Sequence, residues 1–190
     1  MNRREAVSRV ALILGGTIIG AEVFLSGCKP EAKKWSASLD FSAEDIAYLD
    51  EVAETIIPTT NTPGAKAANV GAFMSIMVKD CYDEANQKIF IEGMGKLNDA
   101  SEKANKTRFT EATPEQRKAL LITIDKEAKD YTKNKKKEDP AHYFTQLKQL
   151  TLLGYFTSEI GATQALRYVP IPGRYDGEMP YKKGDKAWAT

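Results

Sequence analysis

From residue 41 onward, apolar residues recur every three or four positions, the spacing that places them on one face of an α-helix. Ile46, Leu49, Val52 (with Ala53) and Ile56 form the first such stripe. Ser42 and Asp45, three residues apart, make a variant capping box, so a helix is predicted from Ala43 to Ile57, ended by Pro58. The turn-rich Thr59-Thr60-Asn61-Thr62-Pro63-Gly64 follows as a loop. A second helix is predicted from Val70 to Cys81 with Phe73, Met74, Met77 and Val78 inward. Asp83 caps a third, from Glu84 to Ala104, with Phe90, Met94 and Leu97 inward. Thr113-Pro114-Glu115-Gln116 joins a cap, a proline at the first helical position and a glutamine that reaches back. It opens a fourth helix, to Tyr131, carrying Leu120, Leu121, Ile124 and Ala128. A fifth starts near Ala141 with Phe144, Leu147, Leu150 and Leu153; Gly154 is expected to interrupt it ahead of a short helix from Thr157 to Leu166. After Tyr168, breaks at Pro170, Pro172-Gly173, Gly177 and Pro180 exclude regular structure. The fold class is all-α: one small domain of five to six helices over 41–167, with an irregular C-terminal arm over 168–190.

The start of the chain follows another pattern. A basic stretch with Arg3, Arg4 and Arg9 precedes an apolar run from Val10 to Leu25 and then Ser26-Gly27-Cys28, the three parts of an export signal. The run is shorter than the roughly 20 residues of a spanning helix and contains Glu22, which argues against a permanent anchor. Arg3 and Arg4 resemble a twin-arginine signal, whose passengers cross the membrane folded, although Ala6 and Val7 stand where that motif prefers a bulky apolar pair. Leu25-Ser26-Gly27-Cys28 resembles a lipobox, which makes Cys28 the expected lipidation site and 1–27 a leader. Residues 28–40 are polar apart from Trp35 and suit a tether. With Cys28 acylated, Cys81 has no disulfide partner in the chain and is expected to be a small buried apolar residue. Export places the chain on the periplasmic side of a bacterial envelope, held by its lipid.

Composition narrows the function classes. The full chain has 27 basic and 26 acidic residues, and loss of the leader's three basic and two acidic ones leaves the rest formally neutral. That balance argues against a nucleic-acid partner. Hydrophobic residues at 42% suffice for a packed core. With two cysteines and one histidine there is no CxxC, no CxxCH and no Cys/His cluster, so covalent haem, a four-cysteine cluster and structural zinc are excluded. His142, beside Glu138 and Asp139, could act as an acid or base but reads more simply as an exposed helix-end histidine. Glu159 and Arg167 suit a structural ion pair, and Met74, Met77 and Met94 sit at core spacing. The charged stretch from Lys133 to Pro140 reads as a solvated connector. No residue of this chain is assigned to catalysis, cofactor binding or metal binding.

The segment from Leu150 to Gly177 is different in kind. It is apolar on several faces, its aromatics are grouped, and Arg-Tyr pairs recur in a proline-stiffened arm, a composition typical of interfaces. Tyr155, Phe156, Arg167, Tyr168, Arg174 and Tyr175 are therefore the candidate partner-binding residues. The arm could equally fold back over its own helices.

Leu152-Leu153-Gly154-Tyr155-Phe156-Thr157-Ser158-Glu159-Ile160-Gly161, with Arg167-Tyr168 and Pro172-Gly173-Arg174-Tyr175, resembles the gluconate 2-dehydrogenase subunit 3 family. So do Ile56-Ile57-Pro58 and Thr62-Pro63-Gly64-Ala65-Lys66-Ala67-Ala68, and the resemblance spans about Phe41 to Trp188. It implies a small non-catalytic subunit of a membrane-associated sugar or sugar-acid dehydrogenase. It also implies a large partner of the glucose–methanol–choline flavoprotein type that holds FAD, and often a c-type cytochrome carrying haem c. The lipobox departs from the family pattern and would add membrane tethering. The competing readings are a free-standing periplasmic lipoprotein acting as a ligand-binding or scaffold module, and a hydrolase built on His142 or Glu159.

Overall fold

The computed structural model describes residues 39–171 and 173–189. The chain divides into two units, Met1–Lys34 and Trp35–Thr190. The export signal, Cys28 and most of the expected tether lie outside the described residues.

Five α-helices form the described body: α1 (Ala43–Ile56), α2 (Val70–Cys81), α3 (Glu84–Asn105), α4 (Pro114–Asn134) and α5 (Tyr143–Thr157). Local chemistry fixes their starts. The Ser42 and Asp45 side chains each accept from the other's backbone N–H, at 3.3 and 2.9 Å. Asp83 accepts from the Asn86 N–H at 2.8 Å, and Thr113 and Gln116 form the reciprocal box that opens α4 behind Pro114.

The core is one cluster that includes Leu49 and Val52 of α1, Met74 and Val78 of α2, Phe90, Met94 and Leu97 of α3, Leu121 and Ile124 of α4, and Phe144, Leu147 and Tyr155 of α5. Helix α5 packs against each of the other four. Its inner face is carried by Phe144, Leu147, Leu150, Thr151 and Tyr155, while Leu152, Leu153 and Phe156 of its many-sided apolar pattern stay exposed. A 3₁₀ turn at Phe109–Glu111, absent from the predicted elements, drives Phe109 into the core edge-on to Tyr48, ring centroids 5.8 Å apart.

Several expectations are corrected. Gly154 does not interrupt α5, which runs through it to Thr157. A Cβ at Gly154 would lie 2.6 Å from Phe73 Cδ1, so this glycine lets α2 and α5 approach. Leu153 does not face the core and is half exposed, because Leu150, Thr151, Gly154 and Tyr155 carry the inner face at that end. The short helix expected from Thr157 to Leu166 is present but shorter: the chain breaks at Ser158, residues 159–165 are helical, and Gly161–Ala165 forms a π-helical turn. Cys81 ends α2 and is exposed, not buried. The arm is not wholly irregular: β1 (Arg167–Tyr168) and β2 (Trp188–Ala189) form a two-stranded parallel sheet in which Arg167 pairs with Trp188 and Tyr168 with Ala189. No helix among the described residues is long and apolar enough to cross a membrane.

Candidate partner interface

Two irregular segments flank the helical body, and their bonding differs. The first, residues 57–69, lies on α1. Asp50, Glu51 and Glu54 fall within four residues of one another on that helix, with Glu51 and Glu54 bonded to the loop and Asp50 to the start of α2. Glu54 accepts from the backbone N–H and hydroxyl of Thr59, both at 2.8 Å, and from the Lys66 N–H at 2.9 Å. A Cβ at Gly64 would meet the Glu54 carboxylate, so a larger residue there would have to displace the group that holds Thr59 and Lys66. Asp50 accepts from the Gly71 N–H at 2.7 Å, tying the start of α2 to α1.

Glu51 pairs with both Lys66 and Arg117. Arg117 also donates to the carbonyls of Ala112 at 2.9 Å and Thr110 at 2.6 Å and lies over the Phe109 ring, 5.7 Å from its centroid. Burial alone would push the Glu51 carboxyl up, but hydrogen bonds from Lys66 and Arg117 outweigh it and hold Glu51 below its ordinary value of 4.5. Asp50 shifts the other way, raised chiefly by burial against the opposing bond from Gly71. Across the domain, the Tyr155 hydroxyl donates to the Pro63 carbonyl at 2.6 Å. The Thr62–Ala68 and Leu152–Gly161 blocks, far apart in sequence, therefore meet through this bond. The sequence reading did not single out Asp50, Glu51, Glu54 or Arg117. Three acids within five residues of α1 mark a charged face, but no local pattern pairs them with the loop or with Arg117.

The second segment is residues 169–187, between β1 and β2. Its hydrogen bonds within the described residues are largely local: Glu178 N–H to Asp176 at 3.1 Å, and Lys182 N–H to Asp185 at 3.0 Å. Its large apolar side chains point to solvent, Tyr175 at 95% exposure, Ile171 at 83% and Tyr181 at 76%. With Val169, Arg174, Met179 and Trp188, Tyr175 lines an open concavity of about 850 Å³. Nine of the twelve exposed large apolar residues among those described lie after residue 151, so unpartnered apolar surface concentrates in this last part of the chain.

The six candidate interface residues fall into three settings. Tyr155 belongs to the core, 2% exposed, with its hydroxyl committed to Pro63, which corrects its placement on a partner surface. Phe156, the next residue round the helix, is half exposed and meets the Tyr155 ring edge-on at 5.2 Å. Tyr168, Arg174 and Tyr175 are exposed, Arg174 lying 3.8 Å from Asp176. Arg167 sits at the base of the loop. Its Cζ lies 4.2 Å from the Trp188 ring centroid and its Nε–H donates to the Lys186 carbonyl at 2.8 Å; among the described residues it forms no ion pair with Glu159.

The possible acid–base residues have plain structural settings. His142 is the N-cap of α5, its Nδ1 accepting from the Phe144 N–H at 3.2 Å, with the Tyr131 and Tyr143 rings beside it. It is half buried, more enclosed than expected, and burial lowers its pKa while Glu127 opposes that shift. Glu159 is exposed. Among the described residues, no group of three or more His, Cys, Asp or Glu side chains is placed to hold a metal ion.

The family model for gluconate 2-dehydrogenase subunit 3 matches residues 43–173. The match includes both blocks that meet through Tyr155 and Pro63, the Thr62–Ala68 loop and the end of α5, and ends before Arg174 and Tyr175. No curated protein and no solved structure matches the chain.

Proposed function

We propose, because the chain belongs to the gluconate 2-dehydrogenase subunit 3 family and so forms part of a dehydrogenase complex, that it is the non-catalytic subunit holding a large FAD-dependent subunit of the glucose–methanol–choline type. The substrate class is a sugar or sugar acid, and the hydride chemistry belongs to the large subunit. A c-type cytochrome is the third component, taking electrons onward. The twin-arginine-like leader with Arg3 and Arg4 fits such a role, since a flavoprotein loaded with FAD in the cytoplasm must cross the membrane folded. One leader would then serve both chains. Lipidation at Cys28 would tether the pair to the periplasmic face, each buried methylene contributing about 0.8 kcal/mol.

The observation that carries this reading is the concentration of exposed aromatic and aliphatic residues in the last part of the chain, above all Tyr175, Ile171 and Tyr181 on a loop that its own helices leave uncovered. Surface of that kind is stabilised by a partner. The test is recovery of the full chain from native membranes. A yellow, flavin-containing large subunit should accompany it, and removal of residues 168–190 should abolish the association while leaving the helical far-UV signal. Recovery of the chain with no flavoprotein would contradict the proposal, and a truncated chain that still binds would move the interface to the helices.

A further inference from the structure

The loop over residues 169–187 is long, open and poor in bonds to the helices, yet its two ends are fastened together. At that neck the Arg167 N–H donates to the Ala187 carbonyl at 2.8 Å and the Arg167 Nε–H to the Lys186 carbonyl at 2.8 Å. The guanidinium stacks on Trp188, its parallel-strand partner. Lys186 reaches back to the Gln164 carbonyl, so the returning strand is tied to the π-helical turn as well. That turn packs on α5 on one side and on β1 on the other, which joins the neck to the rigid body. Arg167 thus contributes a backbone donor, a side-chain donor and a cation to one closure.

We propose that Arg167 and Trp188 form a latch that pre-shapes the 169–187 loop for docking, so that Arg167 acts as a positioning residue and not as a contact to the partner. This rests on the reading above, in which the loop binds the flavoprotein. The physical ground is the entropy of ordering. A chain of this length anchored at one end only would sample many shapes, and binding would have to select one of them. Holding both ends removes much of that cost before the partner arrives, and affinity rises in proportion to the fraction of molecules already in the competent shape. The side chains at the far end, Ile171, Tyr175, Met179 and Tyr181, remain free to make the contact. Arg167 is suited to the latch because it can stack and donate at once. A lysine would keep the charge over the ring and lose the planar Nε–H donor.

Two readouts on the full chain separate a latch from a contact: amide hydrogen exchange of the free chain, and affinity for the flavin-containing large subunit recovered with it from native membranes. Arg167→Ala and Trp188→Ala should each speed exchange at residues 167–168 and 187–189 at least tenfold with the helices unchanged, and each should weaken binding about tenfold. The double variant should be no worse than either single one, because the two side chains form one closure, and Arg167→Lys should fall between wild type and Arg167→Ala. Weakened binding with exchange at the neck unchanged would overturn the latch in favour of direct contact. Faster exchange with affinity unchanged would overturn it too, by showing that loop order does not matter. Full affinity after replacing residues 169–187 with two glycines would instead overturn the docking role on which the latch depends.

Discussion

The loop over residues 57–69 and the loop over residues 169–187 are both turn-rich segments broken by proline or glycine, and composition does not tell them apart. Bonding does. The first is fastened along its length, by Glu54 at Thr59 and Lys66, by Glu51 at Lys66 and by Tyr155 at Pro63. The second is fastened at its base, through Arg167, Trp188 and Lys186, and leaves its aromatic residues in solvent. A loop whose polar groups are met by its own domain is scaffold. A loop closed only at the neck, with apolar side chains outward, is shaped for something outside the chain.

The largest effect that would sharpen this contrast is expected at Tyr155. Replacing it by alanine empties a core position and frees the Pro63 carbonyl, and should cost about 3–5 kcal/mol in urea unfolding. A cost below 1 kcal/mol would mean that Tyr155 does not join the first loop to α5.

Glu51→Ala comes next. It leaves the mostly buried Arg117 without its carboxylate and should cost about 1.5–3 kcal/mol at pH 7. The sign of its pH dependence follows from its lowered pKa. The stabilisation is present above the ordinary carboxylate value of 4.5 and is lost as pH falls through the lower folded value, because the unfolded chain takes up the proton first. Asp50, raised by burial, contributes with the opposite sign: it favours the fold at low pH, and that contribution fades as pH rises through its raised value. Stability curves of wild type and Glu51→Ala should therefore converge below about pH 4.5. A gap that stays constant down to pH 3 would show that the carboxylate's charge is not what matters.

Tyr175→Ala should have the smallest effect on the fold. At 95% exposure its removal should shift unfolding by less than about 0.5 kcal/mol, yet weaken binding of the large subunit by about 1–3 kcal/mol if it anchors the interface. A change in stability as large as that for Glu51→Ala would place Tyr175 with the scaffold and erase the contrast.

Much of the helical plan was legible in short-range signals. Ser42, Asp83 and Thr113 cap their own backbones three residues on, so the helix starts could be read within a few positions. The inward residues of α3 and α4 likewise follow from spacing alone, as do Leu49, Val52 and Ala53 of α1, whereas Ile46 stays outside the core cluster and Tyr48, absent from the predicted stripe, is buried. What could not be read depends on residues distant in sequence. Gly154 looked like a break because nothing near it shows that Phe73 needs its space. Tyr155 and Phe156 looked alike as adjacent aromatics, but neighbours on a helix point about 100° apart, and only the fold decides which one faces in. The carboxylates of α1 and the Arg167–Trp188 closure join partners that no local pattern links. The aromatic and arginine content of the C-terminal segment points to the stretch where exposed apolar residues concentrate, while the setting of each residue depends on which side chains the domain has already used.

In this arrangement the second loop, and not the first, meets the partner. Hydrogen exchange of the full chain, free and bound to the flavin-containing large subunit, tests this most directly. The amides of residues 168–189 should slow at least tenfold on binding, while those of residues 57–69, already bonded to the domain, should change by less than twofold. Slowing confined to residues 57–69 or to the outer faces of the helices, with 168–189 unaltered, would contradict it.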